Sequence, residues 1–266
     1  MQVWPRICGI ISDLDGVTYR GDDPIESAVE AFQAWDEAEL PVAFVTNNST
    51  KSAKEFSDKL NGMGIPAIPE NVITTTAVTA DYLTGVLPEG ARVMVFGSTA
   101  LSDAVEARGF ELAETDASAV IAGLDRSFTY AKLARAQEAL LGGAKFIGTN
   151  ADPKLPHASG FEPGAGSILK AIETASGVAP VIIGKPAPNL VKMALEMLGT
   201  PPEATFVLGD QVDTDIVAGH AAGLPTILVR TGVRNEGPFL AAPDFEIQTL
   251  AEIPVYRSMN SGRQNG

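Results

Sequence analysis

The sequence contains one cysteine, two histidines and only 19 basic residues against 33 acidic ones. The single cysteine, Cys8, excludes both a disulfide framework within the chain and a cluster of thiolate metal ligands, and it suits a reducing compartment. No run approaches the ~18 apolar residues of a membrane helix, and the first residues, MQVWPRICGI, lack the basic and then apolar pattern of a signal peptide. We therefore expect a cytoplasmic protein that does not interact with membranes.

The formal net charge of −14 argues against nucleic acid as a partner, because the protein would repel a polyanion and no basic patch is visible. An anionic small molecule would need a local cation, either a lysine or a metal ion, to enter such a field. At 266 residues and 45% hydrophobic, the chain can bury a substantial core.

Short apolar runs alternate with segments of helical periodicity along most of the chain, which is typical of βαβ units. We predict an α/β fold with a Rossmann-like, doubly wound parallel sheet. Turn-forming clusters, TGVLPEGA and ASGVAP, bracket the middle of the pattern and favour an inserted α/β module, although composition alone would also allow one long sheet. The stretch ADPKLPHASGFEPGAG is predicted to be a loop.

Polar residues follow several of the apolar runs, where the functional crevice of an open parallel sheet lies. The run ICGIIS is followed by DLDG, and the two aspartates share a face if the strand persists to the second one. The glycine after them lets the chain leave the sheet tightly. The residues found at strand ends in this way are Asp13, Asp15, Gly16, Thr46, Asn47, Asn48, Lys185, Asp210, Asp213 and Asp215.

This set of side chains is chemically complementary. Clustered carboxylates raise each other's pKa unless a divalent cation lies among them. Because the ligands are oxygens and histidine is scarce, the expected cation is Mg²⁺. Together with Lys185 it would hold a phosphate dianion, to which Thr46 and the following amides could donate hydrogen bonds. One aspartate can attack phosphorus and its neighbour can transfer protons.

Each motif by itself has an ordinary structural interpretation. DLD is typical of turns, TNNST of a helix N-cap, GKP of a surface lysine, and GDQVDTD of an acidic helix start. An EF-hand is excluded because Gly16 would stand at the fourth position of a calcium loop that begins at Asp13, and not at the sixth. Four such motifs at strand ends of one chain favour a functional site.

The ordered motifs DLDGV, TNNST, GKP and GDQVDTDI resemble those of haloacid dehalogenase superfamily phosphatases. The match is closest to the NagD-like, para-nitrophenyl phosphatase and phosphoglycolate phosphatase branch, called subfamily IIA. It runs from about Ile7 to Arg230 and includes GLDRSFTY and TNADPKLP, where related proteins often have TNPD. The resemblance implies a core domain formed by residues 1–84 and 181–266, with an α/β cap domain at 85–180.

The resemblance also implies roles for the strand-end residues. Asp13 corresponds to the nucleophile, and Asp15 to the general acid/base, which true dehalogenases lack. Lys185 neutralises nucleophile and phosphate together, and Thr46 is grouped with it as catalytic. The implied phosphate-binding residues are Gly16, Asn47 and Asn48, and the implied Mg²⁺ ligands are Asp13, Asp15 through its carbonyl, Asp210 and Asp215.

Substrate identity is expected to depend on the cap. Its candidate contacts are Asp125, Asn150, Asp152 and His157, although an exposed loop histidine is an equally good interpretation of His157. Asp213 is expected to cap a helix and His220 to pack in one. The substrate stays open among phosphoglycolate, glycerol phosphate, sugar phosphates, pyridoxal phosphate and nucleoside monophosphates, as does the oligomeric state, for which a homodimer through the cap is one option.

The sequence thus predicts a Mg²⁺-dependent phosphatase, a phosphoric monoester hydrolase, that cleaves small-molecule phosphate esters through an aspartyl-phosphate. The alternatives are a phosphotransferase and a non-catalytic phosphate-ligand binding protein on the same scaffold, and Asp15 speaks against the second. A receiver-type switch ranks last, because receivers are much shorter and carry no inserted module.

Overall fold

The computed structural model describes residues 4–157, 160–233 and 241–254, with only the main chain of residues 156 and 157. Strands and helices alternate along most of this range. The strands are β1 (Gly9–Asp13), β2 (Tyr19–Arg20), β3 (Asp23–Pro24), β4 (Val42–Thr46), β5 (Val72–Thr74), β6 (Arg92–Phe96), β7 (Glu111–Leu112), β8 (Ala119–Ala122), β9 (Lys145–Gly148), β10 (Lys154–His157), β11 (Gly160–Pro163), β12 (Val181–Ile182), β13 (Thr205–Gly209), β14 (Thr226–Val229) and β15 (Phe245–Ile247).

Four of the eight described α-helices begin at a Ser or Thr whose hydroxyl accepts a hydrogen bond from a backbone N–H of the first turn. Among the described helices, none combines the length and the apolar character that a bilayer crossing requires. The helices are α1 (Glu26–Glu37), α2 (Ala53–Gly62), α3 (Thr75–Val86), α4 (Thr99–Ala107), α5 (Tyr130–Leu141), α6 (Ala165–Ser176), α7 (Asn189–Leu198) and α8 (Val217–Ala222).

Six strands form a parallel sheet in the order β15-β14-β13-β1-β4-β5. β1 lies near its centre, where Ile11 is in register with Val207 of β13 and with Ala43 of β4. All five residues of β1 are buried, as expected for a strand covered on both faces. Because the strands are parallel, the carboxyl ends of β1, β4 and β13 lie side by side at one edge.

A second parallel sheet has the order β12-β9-β8-β6-β7. It is built from residues 92–182, so the middle of the chain forms its own sheet and does not extend the first one. Two elements cross the expected domain limits by a few residues: α3 ends at Val86, and β12 (Val181–Ile182) belongs to this second sheet.

An apolar cluster continues from one sheet to the other through α3. Ile11 and Leu83 belong to the same cluster as Val93 and Leu101. The buried residues of α3 do not form a single stripe, because the helix contacts both α4 and α7. On the other face of the first sheet, α1 packs the rings of Phe32 and Trp35 edge to face, with centroids 4.9 Å apart.

The stretch that we predicted as a loop contains a β-hairpin. In β10 and β11, Lys154 is paired with Pro163 and Leu155 with Glu162 in antiparallel register. The prediction failed because each of these strands contains a proline, which argues against a strand, and neither shows a clear alternation of apolar and polar residues. In a two-stranded ribbon both strands are edges, where proline is tolerated.

Candidate active site

The two aspartates of the first motif lie at the end of β1. Asp13 is the last residue of the strand and is buried, whereas Asp15 is exposed beyond it. The strand does not persist to Asp15, so the two carboxylates do not share a strand face. Gly16 has a φ of +87°, which glycine adopts readily, and a Cβ there would collide with the Asp210 carboxylate. This turn therefore requires glycine for two reasons.

Lys185 places its ammonium group between two carboxylates. Its Nζ donates to Oδ1 of Asp13 and, at 2.6 Å, to Oδ1 of Asp215. Lys185 is 4% exposed, so both ion pairs are removed from water. The strand before Lys185 is β12 of the second sheet, and not a strand of the central sheet as the strand-end argument assumed.

β13 leads to the remaining two carboxylates. Asp210 directly follows the strand, and its Oδ2 accepts a hydrogen bond from the backbone of Val233 at 2.7 Å. A single π-helical turn, Val212–Ile216, precedes α8 and contains Asp215. Oδ2 of Asp215 accepts a hydrogen bond from the backbone N–H of Gln211 at 3.0 Å. The turn brings two carboxylates five residues apart into one cluster.

The three carboxylates of Asp13, Asp210 and Asp215 each offer an oxygen within 4.8 Å of the others, and all three residues are buried. Burial raises the pKa of Asp13 well above its usual range even though Lys185 opposes it. Burial and repulsion from Asp215 raise the pKa of Asp210 to about 7. Burial disfavours the charge of Lys185, but the attraction of Asp13 and Asp215 outweighs it and raises that pKa. When ionised, the carboxylates exceed the ammonium by two charges.

This donor set fits a hard divalent cation. The cluster offers carboxylate oxygens, and a doubly charged ion would balance the excess of negative charge. Bound cations usually resolve such repulsion by lowering the pKa of the surrounding carboxylates. Asp13, Asp210 and Asp215 are therefore the residues that could hold a metal ion such as Mg²⁺.

Asp15 lies in a different environment from the carboxylate cluster. Partial removal from water raises its pKa, and the nearby charge of Lys59 acts in the opposite direction. The Lys59 ammonium lies 3.9 Å from the ring centroid of Tyr19 and donates to the carbonyl of Gly21 at 2.6 Å. A raised pKa favours the protonated form of Asp15, which a proton donor requires.

Thr46 and Asn48 stand at the end of β4. Thr46 is buried, and its Oγ1 accepts from the backbone of Asn48 at 3.1 Å. The exposed Asn48 accepts from the backbone and hydroxyl of Thr50 at 2.9 and 2.6 Å. The N-cap of α2 is Ser52, which forms a capping box with Glu55, so the helix-cap interpretation applies after TNNST and not to it.

Asn47 forms two hydrogen bonds with the main chain of Lys185. Its Oδ1 accepts from the backbone N–H of Lys185 at 2.8 Å, and its Nδ2 donates to the Lys185 carbonyl at 3.0 Å. The same Nδ2 lies 3.2 Å from Oδ2 of Asp152. Both ends of the carboxamide are thus engaged in protein contacts, an arrangement that positions Lys185.

Asn150 and Asp152 face the same cavity from the second sheet. Asn150 follows β9 and donates to Oδ2 of Asp152 at 2.6 Å, while its own Oδ1 accepts from Thr149 at 2.9 Å. Asp152 therefore accepts from two amides, one from each sheet. Asp152 thus provides a direct polar link between the strand end of β4 and the loop after β9.

Asp125 is not brought to the cavity, contrary to our expectation for a substrate contact. Its buried carboxylate accepts from the backbone and hydroxyl of Ser127, each at 2.8 Å, and from Lys132 at 2.6 Å. These contacts outweigh burial and lower its pKa. Asp125 instead fixes the loop between β8 and α5.

Two further predicted residues, Asp213 and His220, are not part of the cavity wall. The side chain of His157 lies outside the described residues. Asp213 is exposed on the π-helical turn and is not part of the cavity wall. His220 Nε2 lies 3.1 Å from a carboxylate oxygen of Asp244, which tethers α8 to the segment before β15. We expected His220 to pack in the helix, but it is exposed and its contacts with Asp244 and Thr226 are polar.

The cavity has a volume of about 520 Å³. Its wall contains Asp13, Asp15, Gly16, Thr46, Asn47, Asn48, Asn150, Asp152, Lys185, Asp210 and Asp215, all singled out from the sequence. Sequence reasoning missed a second group, Arg20, Lys154, Leu155, Phe161, Gln211, Thr214, Gly232 and Val233. Gly232 and Val233 follow β14, so the strand-end rule applied to PTILVR would have found them. The hairpin residues carried no such signal.

Two family models match the chain. A model described as haloacid dehalogenase-like hydrolase matches residues 10–111, and a second, HAD-hydrolase-like model matches residues 182–253. The 5′-nucleotidase YutF of Bacillus subtilis is 40% identical over 251 residues, which covers 93% of this chain and 98% of that protein.

Solved structures of similar proteins agree with these matches. A double mutant of the thermostable NPPase from Geobacillus stearothermophilus superposes with a TM-score of 0.89 at 37% identity, covering 94% of this chain and 99% of that one. The glycerol phosphate phosphatase Rv1692 from Mycobacterium tuberculosis, in complex with calcium, gives a TM-score of 0.80 at 37% identity, covering 85% and 67%.

Proposed function

The chain belongs to the haloacid dehalogenase-like hydrolases, in their NagD-like branch, and is a phosphoric monoester hydrolase; we propose that it is a Mg²⁺-dependent phosphatase that works through an aspartyl-phosphate on Asp13. The observation that carries this proposal is the Lys185 ammonium held between Asp13 and Asp215 in a cavity that Asp15 also lines. It combines a buried carboxylate, its counter-charge and a proton donor in one cavity.

In the first step an oxygen of Asp13 attacks phosphorus, and the bond from phosphorus to the leaving oxygen breaks. Asp15 gives its proton to that oxygen, which its raised pKa favours. Lys185 balances the negative charge that gathers between nucleophile and phosphate. The products of this step are an alcohol and a phosphorylated Asp13.

In the second step Asp15, now ionised, takes a proton from water, and the water oxygen attacks phosphorus. The bond from phosphorus to Asp13 breaks, and inorganic phosphate leaves. We assign to the Thr46 hydroxyl, which lines the cavity, a hydrogen bond to a phosphate oxygen. We assign Gly16 and Asn48 to the same phosphate-binding wall.

The Mg²⁺ ligands in this proposal are the carboxylates of Asp13, Asp210 and Asp215 and the main-chain carbonyl of Asp15. When bound, the ion supplies positive charge that stabilises the transferring phosphoryl group. The calcium complex of the Mycobacterium tuberculosis phosphatase supports a divalent cation in this class of protein.

We assign residues 1–84 and 181–266 to the core and residues 85–180 to a cap that covers the cavity. The separate sheets support this division except at β12, which belongs to the second sheet although it follows residue 180. Asn150 and Asp152 give the cap its contacts in the cavity. The relatives act on small phosphate esters, according to their names, which does not favour the transferase or binding-protein alternatives. A homodimer through the cap and a cytoplasmic location stay predictions, the first testable by light scattering.

The test is hydrolysis of para-nitrophenyl phosphate with Mg²⁺ or with a chelator. We expect phosphate release that needs Mg²⁺ and that Asp13→Asn abolishes, because an amide is a poor nucleophile. Asp213→Asn is the matched control, since it removes a carboxylate that is exposed and outside the cavity wall. Acid quenching should also trap phosphate on the wild-type protein. Full turnover by Asp13→Asn would disprove the assigned nucleophile.

A further inference from the structure

The segment of residues 231–233, which follows β14 after Arg230, lies against the carboxylate cluster. Gly232 and Val233 line the cavity, and the Val233 N–H donates to Oδ2 of Asp210 at 2.7 Å. A Cβ at Gly232 would lie only 2.0 Å from the same oxygen, so the backbone of the segment approaches the carboxylate too closely for a side chain. One of the three clustered carboxylates is therefore held by this segment.

Thr231 connects the segment to the turn after the first motif. It is buried, and its hydroxyl donates to the carbonyl of Gly16 at 2.7 Å. The N–H of Gly16 donates to the carbonyl of Tyr19, also at 2.7 Å. Because a peptide group is planar, this N–H and the carbonyl of Asp15 turn together. The hydrogen bonds on both sides of Gly16 thus fix the direction of the Asp15 carbonyl.

Thr231 is itself held in place by Arg20 of β2. The Nε of Arg20 donates to the Thr231 carbonyl at 2.6 Å, and its Nη2 donates to the same oxygen. Hydrogen bonds from a charged donor are stronger than those between neutral groups. Both oxygens of Thr231 are therefore engaged, the carbonyl by Arg20 and the hydroxyl by Gly16.

We propose that Thr231 is a positioning residue for the Mg²⁺ site: it fixes the Asp15 carbonyl, and the two residues after it fix the Asp210 carboxylate. This proposal rests on the proposed function, which assigns both groups as Mg²⁺ ligands. Thr231 is not part of the cavity wall that the described residues form, so it acts through these groups and not on the substrate. Partners that orient metal ligands commonly change metal affinity by about 10- to 100-fold.

The test is the Mg²⁺ affinity of Thr231→Val, which removes the hydroxyl and keeps the shape of the side chain. The dissociation constant is measured without substrate, from the increase in the free energy of unfolding with Mg²⁺ concentration. We expect binding to be about tenfold weaker. Thr231→Ser, which keeps the hydroxyl, should bind like the wild type. In hydrolysis of para-nitrophenyl phosphate, half-maximal activity should require more Mg²⁺, while KM and the kcat at saturating Mg²⁺ stay close to wild-type values.

Thr205→Val is the matched control, because Thr205 is also buried and donates to a backbone carbonyl, that of Pro201, at 2.8 Å. It begins β13, at the opposite end of the strand from Asp210. The control should lose stability in chelator and keep its Mg²⁺ affinity. If Thr231→Val does not fold, Arg20→Gln takes its place: it changes an exposed residue, releases the Thr231 carbonyl and should also weaken Mg²⁺ binding.

A merely structural hydroxyl would affect the stability of the fold and leave Mg²⁺ affinity unchanged. Unchanged affinity in Thr231→Val, or an equal loss in Thr205→Val or Thr231→Ser, would overturn the proposal while leaving the phosphatase assignment intact. A wild type that Mg²⁺ neither stabilises nor activates would overturn the Mg²⁺ dependence in the proposed function and this inference with it.

Discussion

The side-chain amide of Asn47 pairs with the main chain of Lys185 at both ends, with distances of 2.8 and 3.0 Å. This two-point contact fixes the backbone from which the Lys185 ammonium reaches Asp13. Asn47 was implied to bind phosphate, but its polar atoms are engaged with protein. We therefore interpret it as a positioning residue for Lys185.

Asn47→Asp keeps the shape but replaces the amide donor with a second carboxylate beside Asp152. We expect kcat to fall about 100-fold, as misplacement of a reacting group commonly costs, while KM stays close to that of the wild type. Steady-state kinetics on para-nitrophenyl phosphate would measure both. Asn71→Asp is the control, because Asn71 also donates to a backbone carbonyl, that of Val42, away from the cavity. A large rise in KM with unchanged kcat would instead indicate phosphate binding.

Lys185→Met removes the buried ammonium and preserves most of the side-chain volume. In the presence of a chelator we expect the free energy of unfolding to fall by about 3 kcal/mol, because Asp13 and Asp215 lose their counter-charge. Mg²⁺ should recover part of this loss, and activity should stay at least 100-fold low even with Mg²⁺. Urea titrations with and without Mg²⁺ would measure the free energy of unfolding of both proteins. Equal stability of variant and wild type in chelator would contradict the ion-pair assignment.

Asp125→Asn should affect stability and leave hydrolysis of para-nitrophenyl phosphate unaffected. The pKa of Asp125 is lowered in the folded protein, so its ionised form stabilises the fold above the ordinary pKa of 3.8 and ceases to do so as the pH falls through the lower folded value. We expect the variant to lose about 2 kcal/mol near neutral pH, and the difference to shrink below about pH 4. Urea titrations from neutral pH to below pH 4 would measure how the difference in free energy of unfolding changes with pH.

Gly16→Ala tests the tight turn after the first motif. The positive φ alone costs about 1 kcal/mol for a residue with a Cβ, and here the methyl group would also displace the Asp210 carboxylate. We expect loss of stability together with loss of Mg²⁺-dependent activity. Gly90→Ala is the control, since Gly90 has a φ of +70° with open space around it. Equal effects of the two substitutions would show that the collision is unimportant.

Much of the candidate site could be predicted from one rule: polar residues at the ends of buried parallel strands lie together at one edge of the sheet. Asp13, Thr46 and Asp210 line one cavity as the rule predicts, because Asp13 and Thr46 end strands of the first sheet and Asp210 directly follows another. The rule could not predict the hydrogen bonds between Asn47 and Lys185, because they depend on the position of the second sheet.

Other features depended on contacts that sequence patterns do not carry. Asp125 occurs in a polar stretch that resembles a family signature, yet its partners are Ser127 of the same loop and Lys132 of the first turn of α5. Phe161 lies in a proline-rich segment whose strands show no clear alternation of apolar and polar residues. A side chain's direction there is set by the pairing with Pro156, which no local pattern predicts.

The strand that precedes Lys185 also limits how such proteins can be recombined. β12 belongs to the second sheet, and Lys185 follows its last residue by three positions, a reach of roughly 10 Å. A chimaera that exchanges residues 85–180 between two relatives would therefore separate β9 from its native neighbour β12. Including residues 181–186 in the exchanged segment, together with a matching residue 47, would keep the strand pairing and the lysine in register.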